Sequence, residues 1–268
     1  MSTPILKAVN VTKRYGKFTA VNNITLDILP GTVHSVIGPN GAGKTTLFHT
    51  LTGTTPITEG SILVEGEEVS HLPGYKRVRK GLARSFQVTS LFPNLSVREN
   101  LRLAAQGTRP AQALNPWKRP ELLRQACDIA EQLVARLNLQ SVADRLSSEL
   151  SHGQQRRLEV GMAMAGQPKV IFLDEPTSGM GIDDIADMKK LIHSLRDNYT
   201  VVLIEHNMDI VMDISDSITV MQQGQILAQG KPNDIRNDER VRRAYLGSMI
   251  TGGKKAETQA ETQAGETT

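Results

Sequence analysis

Gly38-Pro39-Asn40-Gly41-Ala42-Gly43-Lys44-Thr45-Thr46 fits the spacing Gly-x4-Gly-Lys-[Ser/Thr], and no other stretch constrains the fold as much. Before it, Val33-His34-Ser35-Val36-Ile37 is short and largely apolar, suited to a buried strand, and after Lys44 a helix can begin. Glycines at 38, 41 and 43 let the backbone turn successive N–H groups inward onto an anion. The following helix aims the positive end of its dipole at the same point. A strand, a tight loop and a helix in that order make a phosphate cradle. Lys44 is then placed to reach the β- and γ-phosphates of a nucleotide, and the Thr45 hydroxyl to ligate Mg2+.

A chain of 268 residues can bury a substantial core in one or two domains. No uninterrupted apolar stretch approaches the roughly 20 residues that cross a bilayer. Met1-Ser2-Thr3-Pro4 lacks a signal-peptide pattern, so the chain is expected to stay in the compartment where it is made. Cys127 is the only cysteine, which excludes an internal disulfide and a zinc site built on several cysteines. The net charge of +3 says little by itself, but between Gly74 and Arg102 seven basic residues (Lys76, Arg77, Arg79, Lys80, Arg84, Arg98, Arg102) face one acid, Glu99. Such a run is either a solvated face or a surface turned toward anionic lipid or an acidic partner. Nucleic acid is not expected, because no aromatic residues interleave with the charges.

Ile5 to Val11 reads as a strand, Ile24, Leu26 and Ile28 alternate with polar residues as a half-buried strand does, and Gly60 to Glu65 reads as another strand. From about 91 to 167 the pattern becomes helical. Leu95–Ala105 and Glu121–Leu137 carry apolar helix spacing, and Pro110, Pro116 and Pro120 punctuate the connection. Strand character returns at Val170–Leu173, followed by a helix through Ile185, Met188, Ile192 and Leu195 with Asp183 or Asp184 as N-cap, then a strand at Thr200–Ile204. Strands alternating with helices predict an α/β fold with a parallel sheet, whose C-terminal strand ends share one edge where ligands bind. Residues 1–250 are expected to form one folded unit with the helical segment inserted. The tail 251–268 has no large apolar side chain and is expected to be disordered.

Val170-Ile171-Phe172-Leu173-Asp174-Glu175 is a buried-type strand ending in two acids. Alone it could end in a solvated carboxylate; behind a phosphate loop, Asp174 can hold Mg2+ opposite Thr45 while Glu175 acts on a water. Leu150-Ser151-His152-Gly153-Gln154 then opens a helical run. Together with the two preceding motifs, these residues resemble the ATP-binding subunits of ABC transporters over about residues 5 to 247. The resemblance implies a P-loop NTPase core with a parallel sheet, an N-terminal antiparallel β portion and an inserted α-helical subdomain, with ATP and Mg2+ as ligands. Position by position, it makes residues 38–46 the phosphate loop and Tyr15 the aromatic stacked on adenine, though a core tyrosine at a strand end is the alternative. Gln87 becomes a residue touching Mg2+ and water. Ser151, Gly153 and Gln154 become a second anion site, serving ATP held by another subunit packed head to tail. Glu175 is the catalytic base, and His206 and Lys44 stabilise charge at the γ-phosphate. Two positions depart from the commonest pattern: His152 replaces a glycine, and Gly181 stands where many members have Asp.

The wording Leu91-Phe92-Pro93-Asn94-Leu95-Ser96-Val97-Arg98-Glu99-Asn100-Leu101 and the ending Arg242-Arg243-Ala244-Tyr245-Leu246-Gly247 resemble the branched-chain amino acid importer group. By that resemblance the partners are two membrane permease subunits, a second ATPase chain and, indirectly, an extracytoplasmic binding protein. The place of work is the cytoplasmic face of the inner membrane. Importers of related small solutes and the lipopolysaccharide exporter ATPase share much of this wording. A P-loop small-molecule kinase would need an acceptor pocket and lid arginines. A soluble ABC ATPase would usually show tandem cassettes or a long coiled-coil insertion.

Overall fold

The computed structural model describes residues 3–85, 91–107 and 119–245, with the side chains of 119–122 left out. The expected disordered tail lies outside the described residues. The chain opens on a long hairpin of β1 (Leu6–Tyr15) and β2 (Phe18–Ile28), paired antiparallel from Leu6↔Ile28 to Tyr15↔Phe18. Ile24, Leu26 and Ile28 point inward and Thr25 and Asp27 outward, the alternation a one-sided sheet requires. β3 (Val33–Ile37) is buried throughout and leads through the glycine-rich loop into α1 (Lys44–Thr52). β4 (Glu59–Val64) and β5 (Glu67–Glu68) complete a four-stranded antiparallel sheet in the order β2-β1-β4-β5.

After α2 (Gly74–Val78) and β6 (Leu82–Arg84) comes the helical stretch: α3 (Val97–Gly107), α4 (Arg119–Arg136) and α5 (His152–Met164). The chain then returns to the sheet with β7 (Val170–Asp174), α6 (Ile182–Leu195), β8 (Thr200–Ile204) and α7 (Met208–Ile214). It continues through the hairpin β9 (Ser217–Gln222) and β10 (Gln225–Gly230) to α8 (Pro232–Asn237). The second sheet is six-stranded, β10-β9-β3-β8-β7-β6, parallel except for β10. Its central strands β3, β7 and β8 are buried along their whole length and largely apolar, because both faces are covered. On one side, Leu47, Phe48 and Leu51 of α1 fill the space between the two sheets, and the Phe48 ring meets Phe172 edge to face at 5.1 Å. On the other, α3 to α6 pack Leu101, Ala130, Leu158 and Ile192 against Ile171, Leu173 and Val201.

Two expectations are corrected. The N-cap of α6 is Gly181, whose extended backbone (φ −71, ψ 164) precedes the first turn, while Asp183 and Asp184 lie inside that turn. Carboxylates there still face the positive end of the helix dipole, which is why the local pattern misleads by two or three residues. The basic run from 74 to 102 is not one free positive surface. Arg77 is fully buried, Lys80 pairs with Glu67, Arg84 with Asp174, Arg98 with Glu131 and Asp144, and Arg102 with Glu99. The acids that neutralise it come mainly from distant parts of the chain.

Candidate functional site

The register Val36↔Ile204↔Asp174 brings the ends of β3, β8 and β7 level, so the residues that follow each strand converge on one edge. After β3, the loop needs glycine at 38 and 43. Their φ angles are +151 and +98, and a Cβ would stand 2.2 Å from Met221 O and 2.4 Å from Ala20 O, inside any tolerable contact. Met221 lies near the end of β9 and Ala20 on β2, so one strand from each sheet shapes the loop from outside. The N-cap of α1 is Gly43 with no side-chain cap, leaving the first N–H groups of that helix for an outside acceptor. Lys44 is buried and its Nζ donates to Gly38 O (2.7 Å) and Pro39 O (3.1 Å). Burial pulls the ammonium below its usual range, and the nearby Glu175 and Asp174 carboxylates pull it back. Thr45 is exposed at the helix start.

At the end of β7, Asp174 is 1% exposed and its Oδ2 receives Arg84 Nη2 at 3.1 Å. Glu175 adopts φ +48, uncommon for a non-glycine residue, while its N–H donates to Ile204 O at 2.9 Å. That turn carries its carboxylate out of the sheet. At the end of β8, His206 is 61% exposed, with Nδ1 3.7 Å from Glu175 Oε1. Sequence reasoning passed over Glu205, which is fully buried and does the positioning. Its Oε1 accepts from the Thr177 N–H and hydroxyl, and its Oε2 from the His206 N–H at 3.1 Å. The loop after Glu175 and the start of the His206 loop are thereby tied to one carboxylate. An acid following an apolar strand and preceding a histidine was the signal available.

Lys44, Thr45, Asp174, Glu175 and His206 therefore gather at one edge. Tyr15 is 49% exposed at the β1–β2 turn, with Lys13 Nζ 4.9 Å from its ring, so it is not a core residue. Gln87 lies outside the described residues. Ser151, Gly153 and Gln154 lie at the start of α5; their described side-chain contacts are with one another, and Gly153 adjoins Asp184. Ser151 Oγ accepts from Gln154 N (3.3 Å) and Gln154 Oε1 from Ser151 N (3.0 Å), a reciprocal capping box. His152 Nε2 lies 3.0 Å from Ser178 O, and a Cβ on Gly153 would stand 2.2 Å from Asp184 Cγ. The glycine thus leaves room for the α6 carboxylate, and His152 braces the loop before α6.

The residues suit a magnesium nucleoside triphosphate. Among the described residues no three His, Cys, Asp or Glu side chains form a metal cage, and Mg2+ characteristically takes one or two protein oxygens together with substrate phosphates. A desolvated lysine, open helix N–H groups, an exposed hydroxyl at the helix start and a strand-end carboxylate supply that set.

The sequence profile of the family described as ABC transporter matches residues 21–178. The chain belongs to the ABC transporter family. A second profile, described as branched-chain amino acid ATP-binding cassette transporter, matches residues 225–249. The cassette is 43% identical over 253 residues to the high-affinity branched-chain amino acid transport ATP-binding protein BraF of Pseudomonas aeruginosa, covering 92% of this chain and 99% of BraF. It is 35% identical over 247 residues to the lipopolysaccharide export system ATP-binding protein LptB of Haemophilus influenzae, covering 92% and 98%. The ADP conformation of MJ1267, an ATP-binding cassette of an ABC transporter, superposes with a TM-score of 0.79 at 28% identity, over 92% of this chain and all of that one. The cassette is accordingly an ATP-binding, ATP-hydrolysing transporter component, and no helix among its described residues is long and apolar enough to cross a membrane.

Proposed function

We propose that the cassette hydrolyses ATP to drive an importer of branched-chain amino acids or related small solutes, working with two membrane permease subunits and a second ATPase chain at the cytoplasmic face. The observation that carries this is the profile match at 225–249, beyond the span of the general ABC transporter profile and described for the branched-chain amino acid group, together with the BraF identity. An extracytoplasmic binding protein would deliver the solute.

In this reading the loop 38–46 wraps the triphosphate, with Lys44 leaving its own loop carbonyls for the β- and γ-phosphates. Tyr15 lies against the adenine. Thr45 and Asp174, with Gln87, would hold Mg2+, which when bound offsets charge on the phosphate oxygens. Glu175, turned out of the sheet by its positive φ, orients a water in line with the γ-phosphate and takes its proton. His206, held by Glu205, stabilises the charge that develops there. Ser151, Gly153 and Gln154 at the start of α5 close over the nucleotide of the paired chain, where helix N–H groups suit a γ-phosphate.

Glu175→Gln should keep ATP binding and lose about a hundredfold or more in turnover, the usual weight of a positioned base. Near-normal turnover by that variant would remove Glu175 from the role. For transport, deleting the gene should abolish leucine uptake by whole cells, with restoration by the wild-type cassette and not by Glu175→Gln. Unchanged uptake with lipopolysaccharide retained at the inner membrane would instead favour the exporter reading suggested by the LptB likeness.

A further inference from the structure

Arg84 stands where an anion-binding site would be expected to hold a metal. It projects from β6, beside β7, and its Nη2 meets Asp174 Oδ2 at 3.1 Å with the side chains 10% and 1% exposed. A carboxylate so deeply covered is costly to leave unpaired, and Arg84 is the cation in direct contact with it. The guanidinium nevertheless holds it by a single bond rather than the two-pronged fork that arginine and carboxylate favour. The rest of the head is poorly satisfied. Nη1 reaches Thr54 Oγ1 only at 3.5 Å, Nε is buried without a partner, and the plane lies 5.9 Å over the Phe48 ring. Arg84 is also a wall of an apolar cavity of about 580 Å3 between α2, α3 and α5, into which a released head could move. Glu159 lines the same cavity and its Oε1 has no hydrogen-bond partner.

We propose that Arg84 is the resident counter-cation of Asp174, a positioning residue that pairs with the carboxylate and holds its aim until a divalent cation arriving with nucleotide takes its place. The proposal rests on the nucleotide reading of the site above. It gives metal-free nucleotide a tolerable site, because Asp174 never faces the phosphates uncompensated. It also makes metal binding an exchange of cations, with the leaving one hinged on a strand that borders the cavity.

The test is binding of a fluorescent ATP analogue to the full chain, once with excess Mg2+ and once with a chelator. Arg84→Met keeps the stem packed on Phe48 and removes the charge. It should weaken metal-free binding by about tenfold or more, the order expected of a like charge left a few ångströms away, and change Mg2+-dependent binding less than about threefold. Arg84→Lys should restore most of the metal-free affinity. In an Asp174→Asn background, Arg84→Met should no longer alter metal-free binding, because the charge to be compensated is gone. Equal losses in both conditions would make Arg84 a plain tie between β6 and β7 and overturn the proposal, as would no change in either. A wild-type chain that bound no nucleotide under either condition would instead overturn the nucleotide reading itself.

Discussion

Arg77 shows how far a single side chain can depart from what its neighbours suggest. Its guanidinium donates to the carbonyls of Thr50 and Leu51 at 2.7 Å each, and to Ser70 and Leu72 at 2.9 Å each, closing the last turn of α1 onto the segment before α2. Burial lowers its pKa to about 10, which leaves it charged at neutral pH. Arg77→Met should cost about 3–5 kcal/mol in urea unfolding, since four carbonyls lose a shared donor in a covered site. Arg77→Lys should recover little, because one ammonium cannot span that fan of acceptors. Nothing in the sequence separates Arg77 from the exposed Arg79 two positions on, since the acceptors lie 5 to 27 residues away. Lys44, Asp174 and Glu175 were legible for the opposite reason. Their surroundings are fixed by adjacent residues, a glycine loop in one case and an unbroken apolar strand in the other.

At the scale of elements, the same division holds. β7 and β8 carry continuous apolar runs, β3 is largely apolar, and the helix spacing of α6 is long enough to carry its own period, so both kinds emerge from the sequence. β6 and α2, at three and five residues, are too short for periodicity; β6 exists because Leu82, Ala83 and Arg84 pair with Val170, Ile171 and Phe172. The α5 start was legible as a motif, but its capping box was not drawn from it, although Ser151 and Gln154 have the spacing of one. These side chains therefore have a structural role in the separate chain besides any at a partner's nucleotide. Ser151→Ala should lower stability by about 1 kcal/mol in thermal or urea unfolding, the usual worth of an N-cap hydroxyl. A loss of that size in a single chain would mean that activity data for Ser151 variants combine a capping effect with a phosphate effect. No loss would assign the hydroxyl wholly to the interface.

For the whole molecule, the strand that carries the phosphate loop is also where acid should act. His34 is the second residue of β3, 4% exposed, with Nδ1 2.7 Å from Ser217 Oγ and Nε2 2.9 Å from Thr219 Oγ1, both on β9. Thr219 Oγ1 also accepts from Gln229 Nε2 at 3.0 Å, so its own proton is available to Nε2, and Nδ1–H is left to donate to Ser217. The chain Gln229, Thr219, His34, Ser217 is complete with a neutral ring and links β10, β9 and β3. Burial lowers the His34 pKa from 6.5 to about 4. Because the folded value lies below the unfolded one, the unfolded chain binds the extra proton between those limits. Stability is whole above pH 6.5 and falls as pH drops toward 4. The arithmetic gives a loss of about 2 kcal/mol by pH 5 and about 3 kcal/mol near pH 4 from this residue alone. Urea unfolding of wild type and His34→Gln between pH 7.5 and 4.5 should show the wild-type curve falling more steeply, with the gap between them closing toward acid. Parallel curves would mean that the ring takes up its proton equally in the folded and unfolded chain, so that burial in the sheet does not disfavour the charge. In the expected case the six-stranded sheet weakens first along β3 and β9, which are the strands that hold Gly38 against Met221, so nucleotide binding should decline with the same midpoint as stability.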